Sequence, residues 1–433
     1  MRSLEGTGSA EMLVDFDVAS PAFIQDPFPT LDRLRNEAPA WRDPGSGAVW
    51  ISTYDLIMEI NQQPLVFSND IAGPLCSGST GDITPEEVAV MRRGVKPAVT
   101  LLTADPPAHT RFHKLAMKAF TYRRVEGMSS YIAAVTNDLI DRFIDDGACE
   151  FRAAFGAPLP MMVMADALGA PREDMDRFGV WSDALLLLTS GVADPAARLA
   201  AAGQIVEFQH YIVALANRER ASPGEDVISD LVQADLAEEG DTRKLNDAEL
   251  LSIIQQLLVA VNETTAHSLV GGLHYLLVEP DRLAKLIASP DLTPGFVEEV
   301  LRMTSPASAM WRRATCDTKI GGVRIAQGDL LLLRYASANR DETQFQAGED
   351  FDIERENARS HLAFGAGIHT CLGAQLARKE MVTALPILIE RLQGLRLSPS
   401  QSPPTYIPNS LFRGMAELHT VFELSTPVEK MVT

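Results

Sequence analysis

Cysteine is scarce in this 433-residue chain: Cys76, Cys149, Cys316 and Cys371 lie far apart, with no CxxC pair. That excludes a disulfide-stapled scaffold and fits thiols kept reduced in a cytosolic setting. Long hydrophobic runs are missing too. No stretch approaches about 18 uninterrupted apolar residues, so nothing reads as a membrane span. Met1-Arg2-Ser3-Leu4-Glu5-Gly6 opens the chain without the apolar core of a secretory leader. Positive charge is in short supply: 38 Lys and Arg against 58 Asp and Glu leave a formal charge of -20. Nucleic acid and anionic membrane surfaces are thereby excluded as general partners. Repeats, low-complexity tracts and Gly-, Ser- or Pro-rich linkers are also absent. The expectation is a soluble, unanchored cytoplasmic monomer. It should form one domain over residues 1–433, with about residues 1–19 as a flexible N-terminal segment.

What is present is core. At 46% hydrophobic and 22% charged residues the chain sits inside the globular range and can bury a large interior. From about residue 106 to 304 apolar residues recur at helical spacing, and the longest such stretch runs from about Leu245 to Val278. A helix of that length must cross the body of a domain with both flanks packed. After Pro306 the texture changes. Ile320–Ile325 and Asp329–Leu333 read as short strands joined by turns, and a loop-rich charged stretch follows from Asn339 to Ser360. A helix then starts just after Cys371 and runs to about Leu392, and a hairpin follows between Leu395 and Glu423. The fold class is mostly α with small peripheral β-sheets.

The richest chemistry lies at His361-Leu362-Ala363-Phe364-Gly365-Ala366-Gly367-Ile368-His369-Thr370-Cys371-Leu372-Gly373. Glycines two apart let a loop aim backbone amides at one sulfur. The helix that follows brings its free amides and positive end to Cys371, and both effects favour a thiolate. A thiolate is the ligand a haem iron needs to cleave dioxygen. A zinc site built from His361, His369 and Cys371 lacks a fourth ligand at the usual spacing.

Phe364-Gly365-x-Gly367-x-His369-x-Cys371-x-Gly373 resembles the haem-binding loop of the cytochrome P450 family, with every defining position filled. The resemblance extends over roughly residues 20 to 425, beginning with Asp26-Pro27-Phe28-Pro29. It implies the P450 fold, with haem b held between a long central helix and the cysteine loop, and Cys371 as the axial thiolate. Phe364 and Gly365 would belong to the cofactor cradle. Glu299 and Arg302, three apart on a helix, with Arg355 downstream, resemble the family's buried structural triad.

Leu257–Thr265 resembles the oxygen-activating stretch of the long helix. There Thr264 would bond back to the Ala260 carbonyl and loosen the helix locally. Thr264 and Glu263 would deliver protons. The family usually carries glycine where this chain has Val261, which narrows the room beside the oxygen site.

Asp105–His113 resembles the start of the helix along the haem edge, with His109 and His113 facing the propionates. His113 stands where arginine is common, so its charge is conditional. Arg312 aligns with the propionate-binding arginine by its distance from Asp317, Arg313 is a rival one position off, and His369 completes the set.

Segments facing the distal side would be Asn69–Leu101, Ala184–Leu188, Ala307-Ser308-Ala309-Met310-Trp311 and Leu411-Phe412, with Ala260 and Val261 above the cofactor. Apart from the first, they are largely apolar and offer no anchor for a charged ligand, which favours a terpenoid, steroid or aromatic substrate. The resemblance implies a monooxygenase that takes O2 and two electrons from separate proteins, a [2Fe-2S] ferredoxin and its reductase. A peroxide-driven relative usually lacks the acid–threonine pair kept here. A non-catalytic haem sensor is the other alternative. Arg111, Lys114, Lys118, Arg123, Arg124, Arg378 and Lys379 form the expected basic docking patch for an acidic ferredoxin.

Overall fold

The computed structural model describes residues 20–71, 83–190, 194–234 and 244–424. The N-terminal segment 1–19, Cys76 and the middle of the Asn69–Leu101 segment lie outside the described residues.

Ten helices frame the site: α1 (Tyr54–Asn61), α2 (Pro85–Met91), α3 (Ala108–Ala119), α4 (Ser129–Asp141), α5 (Pro158–Ala167), α6 (Met175–Ser190), α7 (Pro195–Ala221), α8 (Asp247–Leu277), α9 (Thr293–Thr304) and α10 (Ala374–Arg391). The longest, α8, begins with a capping box. Asn246 Oδ1 accepts from the Glu249 amide and Glu249 Oε2 accepts from the Asn246 amide, both at 3.0 Å. Its residues Leu250, Leu251, Ile253, Ile254, Leu258, Leu269, Val270 and Leu273 are buried on every side. A helix apolar all round belongs at the centre of a fold. Accordingly α5, α6, α7, α9 and α10 all pack against it.

The strands sit to the sides. The larger sheet has the order β1 (Ala40–Arg42), β2 (Val49–Ile51), β8 (Leu330–Leu333), β5 (Met310–Ala314), β3 (Phe67–Ser68), antiparallel except for β2 beside β8. β4 (Ala148–Glu150), β10 (His419–Val421) and β9 (Arg396–Leu397) form the second sheet. The stretch expected as one strand from Ile320 is a hairpin instead: β6 (Thr318–Ile320) turns through Gly321-Gly322 into β7 (Val323–Ile325). Both glycines have positive φ, so the chain reverses where a continuous strand would run straight.

One ionic cluster fixes the charged loop that leads to the cysteine segment. On α9, Glu299 Oε1 lies 2.7 Å from Arg302 Nη2 and 3.1 Å from Arg355 Nε. Arg302 donates further to the carbonyls of Asn339, Gly348 and Asp350, and Arg355 to those of Gln346, Ala347 and Asp350. Glu299 and Arg302 are fully buried. With their hydrogen bonds met, such charges hold a loop firmly, whereas removing one partner costs about 3–5 kcal/mol. Asn339 then passes the constraint on, since its Oδ1 accepts from the Leu362 amide at 2.6 Å.

Candidate functional site

The loop between Leu362 and α10 folds back on itself. The Gly365 amide donates to Leu362 O at 2.9 Å and the Cys371 amide to Phe364 O at 2.9 Å. Gly367, at φ +74°, is required twice over: a Cβ there would stand 2.3 Å from Asn61 O. Backbone amides of Gly373 and Ala374 bond to the Cys371 sulfur, and Arg378 adds positive charge. Burial nonetheless outweighs them and pushes the Cys371 thiol up, although the residue keeps an open side. The loop and helix-end amides act in the direction the sequence predicts, favouring the thiolate, against the cost of burial. They direct the sulfur, and a bound cation is what would ionise it. Among the described residues no three His, Cys, Asp or Glu converge as a metal site, and His361 is engaged with Glu298 at 3.2 Å.

Beside the loop, imidazoles gather. His109 and His113 share one face of α3, with ring centroids 5.1 Å apart, and the His369 ring lies 4.0 Å from that of His109. His113 is bonded to the Thr370 backbone. Arg312 is buried on β5, with Nη2 donating to Asn61 Oδ1 at 2.9 Å and Nη1 to Trp311 O at 2.8 Å. Desolvation, then His109, Arg312 and His113, push His369 down to about 3. Burial, then His113, pull His109 down against Asp105. The buried Nδ1 of His109 and Nε2 of His369 have no partner. Three imidazoles and a guanidinium thus face one another, with Asp105 acting against them at His109 and the Thr370 backbone at His113, a setting that suits an anionic group. The two propionates of haem fit it. Arg313, next along β5, pairs with Ser68 across the strand, and it is the charge of Arg312 that His369 feels.

Across the loop lies α8. Thr264 Oγ1 donates to Ala260 O at 2.6 Å, the back-bond the sequence predicts. Val261 is buried, and its Cγ2 lies 3.5 Å from where a Gly373 Cβ would stand, itself 3.9 Å from Cys371 Sγ. The Val261 side chain therefore points toward the cysteine loop. Glu263 is buried, with Oε1 2.8 Å from His267 Nε2 and 3.5 Å from Arg152 Nη2. Burial raises its carboxyl, but His267 and Arg152 more than offset this and leave it below the usual range.

Two of the three apolar segments expected on the distal side form one wall. Ala307 bridges Phe412, and the amides of Ser308 and Ala309 both donate to Leu411 O, at 2.7 and 3.1 Å. Ala309 is wholly buried with Leu31, Leu34, Trp50 and Leu332, and Leu411 packs on the same cluster, so these two back the wall. Met310 leans on the separate cluster around Val49 and Leu333. Ala184 and Leu185 are core, and Leu186–Leu188 half-buried.

The expected basic patch is narrower than the sequence suggests. Arg378 is held by Glu298 at 2.7 Å, Lys379 by Glu126 at 2.8 Å, and Arg124 by Asp230 and the Glu225 carbonyl. Lys114, Lys118 and Arg123 are exposed, beside exposed Met117 and Tyr122. Sequence reasoning also missed Asn61, Arg152, His267 and Glu298. His267 four residues after Glu263 was the one visible signal, because such pairs share a helix face.

A family model described as Cytochrome P450 matches residues 199–417. Cytochrome P450 monooxygenase PikC of Streptomyces venezuelae is 35% identical over 423 residues, 96% of each chain. The steroid C26-monooxygenase of Mycobacterium tuberculosis (strain CDC 1551 / Oshkosh) is 34% identical over 395 residues, 91% of this chain and 100% of that protein. The structure of cytochrome P450 CREJ in complex with (4-ethylphenyl) dihydrogen phosphate superposes with a TM-score of 0.84 at 30% identity, covering 92% of this chain and 98% of that one. With the cysteine loop, the imidazole–arginine pocket and the Ala260–Thr264 back-bond on one frame, these likenesses agree: the chain belongs to the cytochrome P450 family and is a monooxygenase of that family.

Proposed function

We propose that the protein holds haem b through Cys371, with propionates at His109, His113, Arg312 and His369, and that it oxygenates an apolar small molecule. The observation that carries this reading is the cluster of desolvated imidazoles and Arg312 beside the amide-directed Cys371 sulfur. Bound haem would supply the iron at which O2 is reduced, one oxygen atom passing to substrate and the other leaving as water. The protein's own part is proton handling and exclusion. Thr264 presents its hydroxyl on the inner face of α8, and Glu263, its carboxyl held low by His267 and Arg152, is the relay next to it that takes up a proton and passes it on. Phe364 and Gly365 form the near side of the cradle, and Ala260, Val261, Ala307 and Phe412 the apolar side. A steroid or similar polycyclic substrate suits that lining and the activity named for a 34% identical relative.

Electrons are proposed to come from a separate [2Fe-2S] ferredoxin and its reductase, docking on Lys114, Lys118 and Arg123. The test is the ferrous carbon monoxide spectrum together with NADH consumption, using surrogate ferredoxin and reductase, against peroxide alone. A thiolate-type band lost in Cys371→Ala, with NADH-dependent product, supports the reading. Product from peroxide but not from NADH would replace the electron route, and no product from either with a panel of bound apolar ligands would make the protein a sensor.

A further inference from the structure

Glu263 has three titratable or charged neighbours among the described residues: Asp183, whose carboxyl burial and the Glu263 charge push up, and Arg152 and His267, which differ in what they can do. Arg152 lies 3.5 Å from Oε1 and cannot give up a proton, because a guanidinium stays charged in proteins. His267 Nε2 lies 2.8 Å from the same oxygen, and an imidazole both takes and gives protons. Facing a carboxylate, Nε2 carries the hydrogen, and in the neutral ring Nδ1 is then a bare acceptor. Nδ1 is buried without a partner in a residue 4% exposed. It lies against Gly414, where a Cβ would stand 1.9 Å away, so any side chain at 414 would take the ring's place.

Gly414 and His267 border an internal cavity of about 30 Å³. That is room for a water, and Tyr275, Arg340, Tyr406 and Arg413 supply polar walls. The same four residues, with Phe28 and Met303, also line a second, open cleft of about 550 Å³ whose rim carries Asp26, Glu279 and Arg282. The two spaces are neighbours, with these six residues in the walls of both. Arg413 stacks on the Tyr406 ring, 3.4 Å from its centroid, and Arg340 on Phe28 at 3.5 Å, so aromatic–guanidinium stacking forms part of the wall common to both spaces.

We propose that the cleft, the inner cavity and His267 form a proton inlet that ends on Glu263. A proton reaches Nδ1 from the cavity side while the Nε2 proton passes to Glu263 Oε1. One enters and one leaves, and the first tautomer returns when the ring swings toward the cavity, takes a proton there on Nε2 and releases the one on Nδ1 to the same water. This rests on the reading of Glu263 as the proton donor and adds the source from which it is recharged. It also gives a reason for glycine at 414 that no turn geometry supplies, since Gly414 is outside the positive-φ set.

The experiment compares His267→Gln, His267→Ala and Gly414→Ala with the wild type in the haem-loaded protein. Gln still donates an N–H toward Glu263 but cannot pass a proton on. Both His267 variants should therefore divert electrons from product to peroxide by about tenfold and alter the solvent deuterium isotope effect. The second readout does not involve turnover. In the diamagnetic ferrous carbon monoxide form with 15N-labelled histidine, exchange of the His267 Nε2 proton with water should slow at least about tenfold in Gly414→Ala. If Gln at 267 couples electrons as well as histidine while Ala does not, His267 merely positions Glu263 and the inlet is overturned. Unchanged proton exchange in Gly414→Ala overturns it too. If that variant loses its haem, His267→Gln alone decides. Glu263→Gln with normal coupling would instead sink the acid role itself, and the inlet with it.

Discussion

Arg378 Nε donates to Glu298 Oε1 across 2.7 Å and Nη2 to Oε2 across 2.9 Å, a two-pronged bond that joins α10 to α9. The same guanidinium lies 4.5 Å from the centre of the Phe364 ring. Glu298 also accepts from His361 at 3.2 Å, so both ends of the cysteine loop converge on one carboxylate. Burial raises that carboxyl, but His361 and Arg378 overcome it and hold it at about 2, against an ordinary 4.5. A carboxyl depressed on folding stabilises the fold fully above its unfolded value and loses that effect as pH falls through the folded one. Glu298→Gln should thus cost on the order of 3 kcal/mol at neutral pH. The difference from wild type should shrink below about pH 4.5 and vanish near pH 2. Thermal unfolding of both proteins across that range checks it, and a pH-independent difference would show that shape, not charge, is what Glu298 contributes.

Thr264→Ala should keep haem and ligand binding but lose most of the product per electron. The hydroxyl it removes bonds only to Ala260 O in the resting helix, so α8 itself is not weakened by the change. A proton-delivery step of this kind is worth about 10²–10⁴-fold. Oxygen uptake, peroxide and product measured together decide it. Unchanged coupling would mean the hydroxyl serves only the helix.

Val261 points toward the cysteine loop, 3.5 Å from the Cβ position of Gly373. Val261→Gly should open that side and admit bulkier ligands, at a helix cost on the order of 1 kcal/mol. A graded ligand series followed by haem spectral shifts reads the effect, and equal affinities in both forms would place Val261 away from the pocket.

The parts of this site that were legible in the sequence are those with local spacing. The run of apolar residues at helical spacing from about Leu245 to Val278 announced α8, residues three apart announced Glu299 with Arg302, and the glycine pattern announced the loop at Cys371. What could not be read depends on contacts between distant segments. Glu298 meets His361 and Arg378 through 63 and 80 residues of intervening separation, and Asn61 meets Arg312 through 251. Arg312 and Arg313 were a choice between two faces of one strand, and only the sheet decides which face meets His369. The basic patch was over-read for the same reason: composition counts Arg378, Lys379 and Arg124 as available, while the fold spends each on a carboxylate.

That correction sharpens the last prediction. The proposed docking surface on α3 and the helix Tyr122–Gly127 centres on Lys114, Lys118 and Arg123 around exposed Met117 and Tyr122. An apolar centre with a basic rim suits an acidic partner, because charge speeds encounter and the apolar contact holds the pair. On a protein of net charge -20 a local positive rim matters the more, since the rest of the surface repels an acidic ferredoxin. Reversing Lys114 and Lys118 to Glu should slow ferredoxin-supported turnover about tenfold at low ionic strength, with haem spectra and ligand affinity unchanged. Salt screens such steering, so raising it should slow the wild type and leave the reversed protein nearly indifferent. Arg378→Glu is the contrasting change. It places a second carboxylate against Glu298, so it should lower thermal stability and loosen haem at every ionic strength. A salt series in which Lys114, Lys118 and wild-type proteins give equal rates would show that electrons enter through another face.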